Sequence, residues 1–135
     1  DPKRMAAAKV LRTKLDEIQK ADKNANILIM GDFNDEPSDN SIIKGVGAYK
    51  AEPVFKSSNL YNLLYARFQK GDGTLYYKDW DLFDQIIVSG SLLNKNKDLR
   101  LTIYCTTTIK QLSQNLIVPW VVSILAGILT ICLFL

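Results

Sequence analysis

Asp32 and Asn34 stand two residues apart at the end of an apolar run, in ILIMGDFNDEPSDNS (27–41), with Asp35, Glu36, Asp39 and Asn40 crowded behind them. A carboxylate at such a place can bind a hard divalent cation or orient a water. A neutral amide beside it can donate to a phosphate oxygen without adding negative charge. The pairing suits phosphoryl chemistry. The same Asp, Asn and Pro residues also make turns, so spacing by itself leaves both readings open. A calcium loop is excluded. Asp32-x-Asn34-x-Glu36 opens like one, but Pro37 follows where the tight turn needs glycine.

The elements on either side must hold these residues. DPKRMAAAKVLRTKLDEIQKAD (1–22) is predicted to be a helix. Asp1 can cap it, Pro2 suits its first position, and Met5, Ala8, Leu11, Leu15 and Ile18 form one apolar stripe. The basic residues off that stripe suit a solvated face. Ile27 to Met30 shows no alternation, which fits a strand buried on both faces in a sheet covered by helices. The acidic loop then begins at a strand end, where such folds place their sites. Ile42 and Ile43 are expected to start a short helix ended by Gly45 and Gly47. SSNLYNLLYARFQKG (57–71) has helical spacing and a glycine stop, so it is expected to be a second helix. GDGTLYYKDWDLFDQIIVSG (71–90) is expected to be a hairpin turning at Asp72-Gly73, with Phe83 to Val88 as its second strand. SLLNKNKDL (91–99) is expected to be a polar connector.

The 135-residue length fits one small domain. The average composition hides a break: all 14 acidic residues lie between Asp1 and Asp98, and the only charges after that are Arg100 and Lys110. A net charge of +3 does not by itself indicate nucleic acid. Cys105 and Cys132 make neither a disulfide framework nor a zinc pattern. The opening without an initiator Met, and without a signal-peptide pattern in residues 1–22, leads to the expectation that the sequence is cut from something longer. It contains no histidine.

The last block, LIVPWVVSILAGILTICLFL (116–135), carries no charge and reaches the roughly 20-residue length of a bilayer-spanning helix. An apolar C-terminal helix, placing the chain at a membrane, is therefore expected. The order helix, strand, helix, hairpin favours an α/β fold with helices outside a covered sheet. Three or four strands before the tail are few for such a sheet, so the chain reads as part of a larger fold.

IMGDFNDEPSDNSI (29–42) resembles the Gly-Asp-Phe-Asn signature of the endonuclease/exonuclease/phosphatase superfamily, the DNase I-like fold. WDLFDQIIVSGSLL (80–93) resembles that family's penultimate strand, and DPKRMAAAKVLRTKLDEIQK resembles the helix before the signature strand in bacterial members. The three segments match in order and cover about residues 2–98. The resemblance implies a partial DNase I-like α/β sandwich over 1–98, and a hydrolase of phosphate esters, nucleic acid among them, that uses Mg²⁺ or Mn²⁺. It implies that Asp32 positions or activates the attacking water near the metal, directly or through a ligand. Asn34 would hold the scissile phosphate, and Asp84 would orient a catalytic histidine. Asp35 and Glu36 are expected to shape the turn rather than bind metal.

Other parts of the family pattern find no counterpart. An Asn and a metal-binding Glu belong to an N-terminal half, and the final Ser-Asp-His should follow the strand of Asp84. General acid–base assistance is commonly worth about a hundred- to ten-thousand-fold in rate. The expectation is therefore a phosphoesterase fragment that is inactive as it stands. A non-catalytic, membrane-anchored binding remnant is the alternative. Residues 99–115 read either as a linker to a membrane anchor or as an out-of-frame segment; both remain open. Tyr76, Tyr77 and Trp80 could stack on a base, though ordinary hairpin packing is the expected role.

Overall fold

The computed structural model describes residues 1–50, 53–95, 120–125 and 128–134. Helix α1 spans Pro2–Ala21, and the Asp1 carboxylate accepts the Lys3 N–H at 2.7 Å to cap it. Its predicted stripe is the buried face: Ala8, Leu11 and Leu15 are inaccessible, with Ile18 packed beside them. Strand β1, Ile27–Asp32, follows. A π-helical turn at Ser41–Val46 occupies the place of the short helix expected at Ile42-Ile43 and ends at Gly47, whose φ is 77°. It packs closely on α1, and a Cβ added to Gly45 would lie 2.6 Å from the Ala8 Cβ.

Strands β2 (Ala48–Lys50) and β3 (Leu60–Asn62) come next, then a single helical turn α2 (Tyr65–Phe68). The second helix expected over 57–71 is thus mostly something else. Leu60, Tyr61 and Asn62 are all buried, because β3 lies inside the sheet between β2 and β6. The expected hairpin is also displaced. Strands β4 (Leu75–Tyr77) and β5 (Asp79–Asp81) pair with each other about Lys78, and β6 (Asp84–Ser89) belongs to the main sheet. The described part of the connector expected over 91–99 lies in helix α3 (Gly90–Lys95), which buries Leu92 and Leu93.

The main sheet has six strands in the order β2-β3-β6-β1-β8-β7, where β7 is Trp120–Leu125 and β8 is Ile128–Phe134. These last two strands correct the expected apolar helix at 116–135. They pair antiparallel with each other, and β8 runs parallel to β1. A charge-free apolar run suits a strand covered on both faces as well as it suits a membrane helix, and the Val and Ile content favours the strand. Among the described residues no helix is long and apolar enough to cross a membrane. Residues 99–115, expected as a linker or out-of-frame segment, lie outside the described residues.

The central strands β1 and β6 divide their side chains between two cores. Ile27, Ile29 and Ile87 pack under α1 and the π-helical turn. Leu28, Met30, Ile86 and Val88 pack on the opposite face with Tyr61, Leu92 and Leu93. Ser89 and Ser91 fix the entry to β1. Ser89 Oγ accepts the Ile27 N–H at 2.9 Å, and both hydroxyls donate to the Ala25 carbonyl.

Candidate functional site

The Gly-Asp-Phe-Asn segment sits where β1 leaves the sheet, and each residue has a distinct local task. Gly31 has a φ of 147°, a conformation that a side chain opposes. Phe33 is buried among the residues under α1, and its N–H donates to the Phe83 carbonyl at 2.9 Å. Asp32 continues the face of Leu28 and Met30, away from Phe33. Asn34 turns into the left-handed region, with φ of 49°, and its N–H donates to Asp32 Oδ1 at 2.8 Å. Asparagine tolerates that conformation better than most residues.

Asp84 is brought to the same place by strand register. In the antiparallel β1–β6 pair, Asp32 stands opposite Asp84. The Phe33–Phe83 hydrogen bond makes that neighbouring pair the hydrogen-bonded one, so Asp32 and Asp84 occupy a non-hydrogen-bonded position. There the Cα atoms approach to about 4.5 Å and side chains lie closest. The three sequence-predicted site residues, Asp32, Asn34 and Asp84, therefore gather at one end of the two central strands.

Thr74, which the sequence reading passed over, completes this end. Its Oγ1 accepts the N–H groups of Phe83 and Asp84 at 3.2 and 3.1 Å. The Thr74 side chain also favours the charged form of the Asp84 carboxylate. Burial raises the Asp84 carboxyl above its ordinary range; the Thr74 hydrogen bond opposes that shift, and the Asp32 charge adds to it. Asp84 is thus a partly desolvated carboxylate facing a second one.

The rest of the loop is tied down by its own contacts. Asp35 is only 5% exposed. Its Oδ1 lies 2.6 Å from Arg4 Nε, an ion pair whose N–H is not aligned as a hydrogen bond, and its Oδ2 accepts from the Ser41 hydroxyl. Glu36 and Asp39 close a turn, with the Glu36 N–H on Asp39 Oδ2 at 2.7 Å and the Asp39 N–H on the Glu36 carbonyl at 2.9 Å. Partial burial raises the Glu36 carboxyl, and the charges of Asp81, Asp39 and Asp79 push it the same way. The β4–β5 hairpin therefore brings further acid toward the loop. Its aromatics pack on the hairpin itself, as expected: Tyr76 and Trp80 stand opposite each other with ring centroids 5.1 Å apart, and both they and Tyr77 are exposed.

Among the described residues no group of three or more His, Cys, Asp or Glu is placed to hold a metal ion. Asp32 and Asp84 offer two carboxylates, fewer donors than the six or so oxygens a hard divalent cation gathers. The residues described here do not by themselves fit the Mg²⁺ or Mn²⁺ that the resemblance implies.

The family model described as Endonuclease/Exonuclease/phosphatase family matches residues 1–116, which include all the residues of this site. No curated protein and no solved structure matches the chain.

Proposed function

Since the chain belongs to the endonuclease/exonuclease/phosphatase family, we propose that it carries part of the active site of a phosphoester hydrolase. Asp32 is the residue that orients the attacking water. Asn34 donates its side-chain amide to the phosphate. Asp84 is the carboxylate that orients a proton-transfer group. The observation that carries this reading is the cross-strand pairing of Asp32 with Asp84, with Asn34 tied to Asp32 by its backbone N–H. Two unrelated segments, distant in sequence, converge on one end of the sheet with the residue types that phosphoryl transfer needs.

The chain has no histidine to serve as Asp84's partner. General acid–base catalysis is the function this leaves unfilled. The two carboxylates would supply at most part of the shell of a divalent ion, so the remaining donors must come from elsewhere. We accordingly propose that residues 1–135 bind a phosphate ester weakly and do not turn it over. The acidic surroundings, with Asp79 and Asp81 near Glu36, oppose a polyanionic ligand and favour a single phosphate group over a nucleic-acid backbone.

Titration of the ¹⁵N-labelled chain with inorganic phosphate tests the site. Shifts confined to the Asn34 backbone and side-chain amides, and lost in Asn34→Ala, are expected. Shifts scattered over the lysines of α1, with none at Asn34, would remove the basis for this assignment.

A further inference from the structure

Gln85 follows Asp84 on β6 and is 0% exposed. Its Nε2 donates to the Asp35 carbonyl at 2.5 Å, with the Leu82 carbonyl at 3.4 Å. Its Oε1 accepts from Asn62 Nδ2 at 2.6 Å, and Asn62 Oδ1 accepts the Leu64 N–H at 3.0 Å. Leaving a buried amide in place is favourable only when such partners are all present. A glutamine that merely filled space here would be a poor choice beside a methionine or leucine of similar volume.

Its position gives the amide a purpose. Successive strand residues face opposite sides of a sheet. Asp84 faces Asp32, and Gln85 reaches from the other side to the residue that follows Asn34. Asp35 is then held twice, through its carbonyl by Gln85 and through its carboxylate by Arg4 and Ser41. On the near side, Phe33 is held by burial and by its bond to Phe83. Asn34 sits between two immobilised neighbours, in a left-handed conformation that a residue with a side chain does not favour.

We propose that Gln85 is a positioning residue for Asn34. By gripping the Asp35 carbonyl, it keeps Asn34 left-handed with its N–H on Asp32 Oδ1. One strand, β6, thereby sets both sides of the site, Asp84 directly and Asn34 through the loop. The role of Gln85 in holding Asn34 rests on geometry; its meaning for phosphate binding rests on the function proposed above.

The test compares the full chain with Gln85→Met, which keeps the volume and removes the donor. The readouts are the Asn34 backbone ¹³C shifts, which report φ, and the exchange rate of its amide. In Gln85→Met the Asn34 shifts are expected to leave the left-handed range. Its amide is expected to exchange roughly three- to tenfold faster, while the Ile29 and Ile87 amides stay protected. Unchanged Asn34 shifts and exchange in the folded variant would overturn the proposal. If Gln85→Met does not fold, Gln85→Asn carries the test: it keeps an amide to answer Asn62 and loses the reach to Asp35, and the same two outcomes decide. These readouts need no ligand, so a failure of phosphate to bind counts against the proposed function and leaves this result to be judged alone.

Discussion

Asp32 and Asp84 face each other directly across β1 and β6, at the position in an antiparallel pair where side chains come closest. Like charges placed so are unfavourable unless something compensates. Here the compensation is partial. The Asn34 N–H answers Asp32, and the Thr74 hydroxyl answers Asp84. Folding this chain therefore holds together two carboxylates that an isolated sheet would avoid.

That arrangement has a pH signature. Burial, with Asp32 opposite, keeps the Asp84 carboxyl above its ordinary value of 3.8 in the folded state. The folded chain then holds that proton to a higher pH than the unfolded chain does. The penalty is absent below the unfolded value, grows as pH rises, and is complete above the folded value. Asp84→Asn should therefore be more stable than wild type at pH 7, by about 0.2–1 kcal/mol, with the gap closing toward pH 3. Urea unfolding at the two pH values measures it. A variant less stable than wild type at pH 7 would contradict the opposed-carboxylate picture.

Gly31 has a φ of 147° at the step from strand into loop. Gly31→Ala should cost about 1–3 kcal/mol, because a Cβ strains that backbone. Its thermal unfolding midpoint should fall, and the Asn34 amide should be the first signal disturbed. A variant as stable as wild type would mean that β1 can end without this turn.

The two carboxylates alone should hold Mg²⁺ poorly. Millimolar MgCl₂ should leave the unfolding midpoint of the chain unchanged, since a ligand stabilises only where it binds the folded state. A saturable rise that Asp32→Ala abolishes would show that other donors join the pair.

Aromatic residues of this chain should divide sharply in their contribution to stability. Tyr61 is buried, meets Phe55 edge-on at 5.0 Å and accepts the Lys56 N–H at 2.9 Å. Tyr61→Ala should cost about 3–5 kcal/mol. Trp80 is 49% exposed on a two-stranded hairpin. Trp80→Ala should cost about 1 kcal/mol or less, its loss limited to the contact with Tyr76. Chemical unfolding of the two variants checks the contrast, and equal losses would contradict it.

The parts legible in the sequence are those whose signal is local. The stripe of α1, the doubly buried run of β1 and the turn residues at 31–40 each announce themselves within a few positions. Segment 57–71 misled because Leu60, Leu63 and Leu64 fit a helical period, while β3 is a three-residue strand fixed only by its neighbours β2 and β6. The tail misled for the same reason. An uncharged apolar run has no period that separates a central strand from a membrane helix. The sequence marks Asp32 and Asp84 as separate candidates, yet their direct opposition depends on register. Thr74, Asn62 and Gln85 carry no local signal at all. Each acts through a partner at a distance along the chain, as in the Gln85 contact with the Asp35 carbonyl.

The most direct measurement is release of p-nitrophenol from bis(p-nitrophenyl) phosphate by the full chain with MgCl₂, beside Asp32→Ala. On the proposed function, which leaves the proton-transfer role unfilled, there should be no release above background, and wild type and variant should be indistinguishable. Robust, Mg²⁺-dependent turnover abolished by Asp32→Ala would contradict this, and would mean that the residues gathered around Asp32 and Asp84 already form a complete catalyst.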